Sequence, residues 1–95
     1  MVIGRNIKFG AFVRQERMAK ELGLREMAKM IGVSPTYLSK VERDEFPAPA
    51  EDKVRNIAEI IKIDVDELLA LAGKVSSDLS EIIREHHREL AALLR

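Results

Sequence analysis

From Phe9 to Leu71 the apolar residues of this chain recur every three to four positions, in short bursts broken by glycine, proline and small polar residues. That spacing lays side chains along one face of an α-helix, whereas strict alternation would lay them on a strand. No stretch alternates, so an all-α chain is predicted. Helix one runs from an Asn6 N-cap to about Lys20 and packs through Phe9, Phe12, Val13 and Ala19. Leu24, Met27, Ala28 and Ile31 fall at i, i+3, i+4 and i+7 and predict a second helix of two turns. Gly32 can take the left-handed conformation that ends it, Ser34 can cap the next helix, and Pro35 then stands where its missing N–H costs nothing. Helix three, Pro35 to about Arg43, turns Leu38 and Val41 inward and breaks before Pro47 and Pro49.

Helix four follows from Ala50 to Lys62, with Val54, Ile57, Ala58 and Ile61 as its apolar stripe. Asp64 and Glu67 form a capping-box analogue that opens helix five, which carries Leu68, Leu69 and Leu71 and closes at Gly73. Between Ser77 and Arg95 the pattern lengthens: Leu79, Ile83, His86, Leu90 and Leu93 follow one another at alternating steps of four and three, a short heptad seam. Such a helix can pack on its own domain or on a second copy. The expected organisation is one helical domain over residues 1–73 and a C-terminal amphipathic helix over 74–95 for dimerisation or partner binding.

Composition narrows this picture. With 46% apolar residues but only four aromatics among 95, the core must be built from aliphatic side chains and methionine, which suits helices. The absence of cysteine excludes disulfides, thiolate chemistry and cysteine-ligated metal, and points to a reducing cytoplasm. No apolar run approaches the roughly 20 residues of a membrane span, and MVIGRNIKFG has no signal-peptide core.

Net charge is zero, yet it is unevenly spread. Residues 1–43 hold nine Lys and Arg against four Glu, leaving +5, while residues 44–95 hold seven against twelve acids, leaving −5. A basic front and an acidic back suggest a polyanion-binding portion joined to something else, with chance scatter over solvated faces as the alternative.

Two short helices joined by a tight glycine turn form a helix-turn-helix only where the crossing is lined by small and apolar residues. Ala28, Gly32, Met27, Ile31, Val33, Leu38 and Val41 satisfy that requirement. Through LREMAKMIGVSPTYLSKVERDE the chain resembles the Cro and lambda-repressor type, or XRE, family, and the resemblance spans roughly residues 9–69. It implies a five-helix lambda-repressor-like DNA-binding domain. Helix two would then cross the DNA backbone, with the amides of Gly23, Leu24 and Arg25 at the positive end of the helix dipole and Arg25 and Lys29 adding charge against phosphate. Helix three would lie in the major groove with Ser34, Pro35, Thr36, Tyr37, Ser39 and Lys40 at base edges, and Arg43 would clamp a phosphate.

The same resemblance pairs Arg17 with Glu42 beneath the DNA surface, a geometry in which guanidinium and carboxylate can share two parallel bonds. Read without it, both are equally solvated surface charges, and Tyr37 suits partial burial as well as DNA contact. Three departures from the family pattern stand out. Leu24 replaces a frequent glutamine, leaving only its backbone amide for contact. Asp44 replaces a frequent glycine, which keeps the left-handed turn accessible and should direct its charge away from phosphate. Pro35 offers apolar contact alone, for instance to a thymine methyl.

Other chemistries find little support. Glu85, His86, His87 and Glu89 could be imagined as a metal cluster, but adjacent histidines diverge by about 100° on a helix, so neither a metal nor another cofactor is expected. A histidine in the seam could instead make self-association sensitive to pH. No nucleophile with a base, phosphate-cradling glycine loop or paired buried carboxylates can be assembled, so the chain is not expected to be an enzyme. The function expected is sequence-specific binding of double-stranded DNA by a homodimeric, cytoplasmic repressor on a palindromic operator. The alternative gives the acidic C-terminal half a protein partner, as in regulators of similar architecture paired with a toxin or a metallopeptidase.

Overall fold

The computed structural model describes residues 7–73. Five α-helices follow in order: α1 (Phe9–Ala19), α2 (Leu24–Ile31), α3 (Pro35–Glu42), α4 (Glu51–Ile61) and α5 (Val65–Leu71). There is no strand among the described residues. The C-terminal seam of Leu79, Ile83, His86, Leu90 and Leu93, and the neighbouring Glu85, His87 and Glu89, lie outside them.

One core joins all five helices. Phe9, Phe12 and Val13 of α1, Met27, Ala28 and Ile31 of α2, and Leu38 and Val41 of α3 meet Val54, Ile57, Ala58 and Ile61 of α4 and Leu68 and Leu69 of α5. α3 packs against α1 and α2, while α4 spans α1, α2 and α5. Removing side chains of this size from water contributes about 1.5–3 kcal/mol each, which makes this cluster the main stabilising term. Leu71 is only half-buried, at the margin of the cluster.

The inward face of α1 is not the one expected. Ala19 is exposed, and the buried positions after Val13 are Glu16 and Arg17. The apolar spacing missed this because Arg17 enters the interior through a polar partner rather than through hydrophobicity. α1 also begins later than expected, after Lys8, which has no side-chain cap; Asn6 lies outside the described residues. Its first amides are satisfied from far along the chain: the Asp44 carboxylate accepts from Gly10 N–H at 2.8 Å and from Ala11 N–H at 3.2 Å. Gly10 allows this approach, because a Cβ there would strike the Val41 carbonyl and lie 2.7 Å from the Asp44 carboxylate.

Four helices end in the same left-handed turn. In the Schellman arrangement the residue after a left-handed position donates back to the third residue from the helix end. Leu22 N–H reaches Arg17, Val33 N–H reaches Ala28, Glu45 N–H reaches Lys40, and Ile63 N–H reaches Ala58, at 2.9–3.2 Å. Among these four the left-handed residue is glycine only at Gly32, with Gly73 taking the same conformation after α5; Glu21, Asp44 and Lys62 hold φ values of 54°, 59° and 58°. A side chain in that conformation costs about 1–2 kcal/mol relative to the right-handed one. At Asp44 the two bonds to α1 offset that cost.

Candidate nucleic-acid interface

Local sequence chemistry places the start of α3. The Ser34 hydroxyl oxygen accepts from Tyr37 N–H at 3.1 Å, and Pro35 occupies the first helical position. Gly32 and the bond from Val33 to Ala28 fix the turn from α2. Lys53 of α4 adds a tie, donating through Nζ to the Ile31 carbonyl at 2.8 Å. Leu38, Val41 and Glu42 are buried, so the remaining arc of α3 faces outward.

That arc carries two stripes. Pro35, Thr36, Ser39 and Arg43 line a shallow cleft of about 270 Å³ together with Leu24 and Arg25 at the start of α2. A second cleft of about 190 Å³ adjoins it and is lined by Arg14, Arg17, Leu24, Ser39, Glu42 and Arg43. Tyr37 and Lys40 form the other stripe and turn towards Phe46, whose ring centroid lies 6.0 Å from that of Tyr37 and 5.1 Å from the Lys40 ammonium.

The α2 end of the cleft suits an anion. Gly23 is its N-cap, and the first-turn amides have no intrahelical acceptor, so they concentrate the positive end of the helix dipole. Exposed Arg25, Arg14 and Arg43 surround it. Glu26, in the same first turn, brings a carboxylate to 3.1 Å from where a Gly23 Cβ would be and opposes part of that charge. Lys29 is exposed one turn further along α2 and lines neither cleft.

Beneath the clefts, Arg17 and Glu42 meet through two parallel bonds: Nε donates to Oε2 at 2.8 Å and Nη2 to Oε1 at 2.9 Å. The remaining nitrogen, Nη1, donates to the Leu22 carbonyl at 2.7 Å. One planar group therefore joins α1, the turn into α2, and α3. Hydrogen bonding to Glu42 raises the Arg17 pKa above the ordinary arginine value, burial opposes the shift, and the Glu42 charge adds to it. A raised pKa stabilises the fold below the ordinary arginine value, so the pair's cation is constant across any working pH. Every fully buried side-chain nitrogen and oxygen among the described residues has a partner.

The sequence-derived site is thus brought together in part. Gly23, Leu24, Arg25, Pro35, Thr36 and Ser39 converge on the cleft, Ser34 spends its oxygen on capping α3, and Tyr37 and Lys40 lean on Phe46. Arg43 lines both clefts, but its Nε sits 2.8 Å from Glu45 in an exposed pair that contributes little and can exchange. The Asp44 carboxylate lies on the end of α1. Two residues were missed. Arg14 stands one turn before Arg17 and so shares its face, a signal the spacing contained; Phe46 sits between breakers, where no periodicity marks it.

Five helices with α2 and α3 at a tight turn, a basic cleft across both, and an interior ion pair define a helix-turn-helix protein of the DNA-binding class. The helix-turn-helix family profile matches residues 13–68, more than half of the chain, and the chain belongs to that family, of the Cro and lambda-repressor or XRE type. It is 28% identical over 74 residues to the uncharacterized HTH-type transcriptional regulator RghRB of Bacillus subtilis (strain 168), covering 78% of this chain and 53% of that protein. It is 38% identical over 61 residues to the ImmF control region 10 kDa protein of Bacillus phage phi105, covering 64% and 67% respectively. The chain therefore spans about half the length of RghRB and about two thirds of the phage protein.

Among solved structures it is similar to SinR, described as the master regulator for biofilm formation and solved in complex with DNA. The TM-score is 0.57 at 30% identity, over 64% of this chain and 97% of that one. Family and fold are those of DNA-binding transcriptional regulators, which are not enzymes. No described helix is long and apolar enough to cross a membrane.

Proposed function

We propose that this chain binds double-stranded DNA sequence-specifically and regulates transcription, with α3 in the major groove and the start of α2 on a phosphate. The convergence of α2 and α3 on one basic cleft carries this reading: Arg25 and the free amides supply positioning contacts, Thr36 and Ser39 in the cleft supply base-edge contacts, and Lys40 adds another from the neighbouring stripe. The crystal structure of SinR with DNA supports it by likeness. The chain would act as a homodimeric repressor, pairing through Leu79, Ile83, His86, Leu90 and Leu93 and reading two half-sites about one helical turn apart.

A second reading gives the acidic C-terminal half of the chain a protein partner, such as a toxin or metallopeptidase. The exposed acids Asp52 and Glu59 of α4 and Asp66 and Glu67 of α5 favour it. Both activities can coexist, since none of these acids lines either cleft.

Selection of bound sites from a random DNA pool tests the main reading, and enrichment of a palindrome is the expected result. On the selected site, Lys40→Ala should relax preference at one position per half-site, whereas Arg25→Ala should weaken all sequences alike and reduce the salt slope by about one. Failure of the wild-type chain to retain any duplex at low salt would overturn the proposal.

A further inference from the structure

We infer that Phe46 is a positioning residue for Lys40: its ring holds the lysine ammonium in one place on the outward face of α3 and so sharpens the base preference that Lys40 confers. This rests on the DNA-binding reading above and adds to it a residue outside the recognition helix. Three observations carry it. The Lys40 ammonium lies 5.1 Å from the Phe46 centroid, within the range where the negative face of a ring attracts a cation. The ring is itself held, tilted 46° against Tyr37 at 6.0 Å between centroids.

The backbone of Phe46 is also tied to the residue it orients. The Lys40 carbonyl accepts from Glu45 N–H at 3.0 Å and from Phe46 N–H at 3.3 Å. The left-handed Asp44 reverses the chain to make this possible, and Pro47 restricts Phe46 to extended backbone. Phe46 is 41% exposed and lies outside the core, so its ring is not there chiefly to be buried. A free lysine on a helix surface samples many rotamers, and a contact made from such an ensemble discriminates poorly between neighbouring bases. One rotamer held before encounter presents its three donors to a single base pair, because the ordering has already been done.

The distinction to be drawn is between positioning Lys40 and touching DNA directly. Full-length wild type, Phe46→Leu, Phe46→Trp, Lys40→Met and Phe46→Leu/Lys40→Met would be compared by competition binding. The probes are the selected duplex, the same duplex changed at the Lys40-dependent position, and random duplex. Phe46→Leu should reduce discrimination at that one position about three- to tenfold, as expected for a contact worth about one cation–π interaction. It should leave binding to random duplex unchanged, and Phe46→Trp should restore discrimination.

In the Lys40→Met background Phe46→Leu should have no further effect. An equal loss on all three duplexes, or an undiminished loss in that background, would overturn the proposal in favour of direct contact. NMR of the free protein reads the geometry separately: the Lys40 ε-methylene protons should be shifted upfield by the ring in wild type and return to ordinary values in Phe46→Leu. An unshifted wild-type signal would overturn the proposal even if DNA binding is intact. A shifted signal with no duplex retained would overturn the DNA-binding reading and this one with it.

Discussion

The inward and outward faces of α3 are separated by half a turn and built on opposite principles. Inward, Leu38 and Val41 are fully buried and Glu42 is bound by two nitrogens of one guanidinium, with each atom's partner fixed. Outward, Thr36 is exposed, Ser39 and Lys40 are half-exposed, and the Arg43–Glu45 pair is open to solvent. Stability belongs to the first face and, on the DNA-binding reading, recognition to the second. Residues on the outer face can therefore change without disturbing the fold, while the inner face sets where they stand.

Four variants would break or sharpen that contrast. The largest effect is expected from Glu42→Ala, which leaves the Arg17 charge buried without its partner and should destabilise the domain by about 3 kcal/mol. At about 4–8 °C per kcal/mol for a domain of this size, the thermal midpoint should fall by more than about 10 °C, as calorimetry would read. A shift of a degree or two would mean that α3 is held by apolar packing alone.

Asp44→Ala should cost about 1–2 kcal/mol in urea unfolding, since it removes a cap from α1 while keeping a side chain in a left-handed turn. Asp44→Gly loses the cap but also relieves the turn, so it should be more stable than Asp44→Ala and close to wild type; a gain over wild type of the full strain, about 1–2 kcal/mol, would show that the carboxylate bonds contribute nothing. Thr36→Ala combined with Ser39→Ala should shift stability by less than about 0.5 kcal/mol, yet reduce binding to the selected duplex. A large stability loss from that pair would erase the distinction between the faces.

The sequence made α2 and α3 legible because their signals are local. Gly32, Ser34 and Pro35 act on their immediate neighbours, and the stripe from Leu24 to Ile31 lies within one helix. The Arg17–Glu42 pairing was also accessible, but through family resemblance rather than spacing. What escaped were effects that cross the chain. Asp44 caps α1 from 34 residues away, where no local cap signal such as Asn6 points to it. Burial of Arg17 turned the face of α1 and left Ala19 outside. Glu21 and Lys62 adopt left-handed turns without glycine, each followed by a residue packed against the core, Leu22 and Ile63, and no residue type at the turn announces that. Phe46 gains its place only once the chain has doubled back.

The guanidinium of Arg17 has a mechanical consequence. By bonding both Glu42 on α3 and the Leu22 carbonyl just ahead of α2, it acts as a spacer bar between those two helices. On the DNA-binding reading, the distance from phosphate contact to base contact is then a fixed gauge, and the duplex must yield to it. Operators would differ in affinity through the bendability of base steps that no side chain touches.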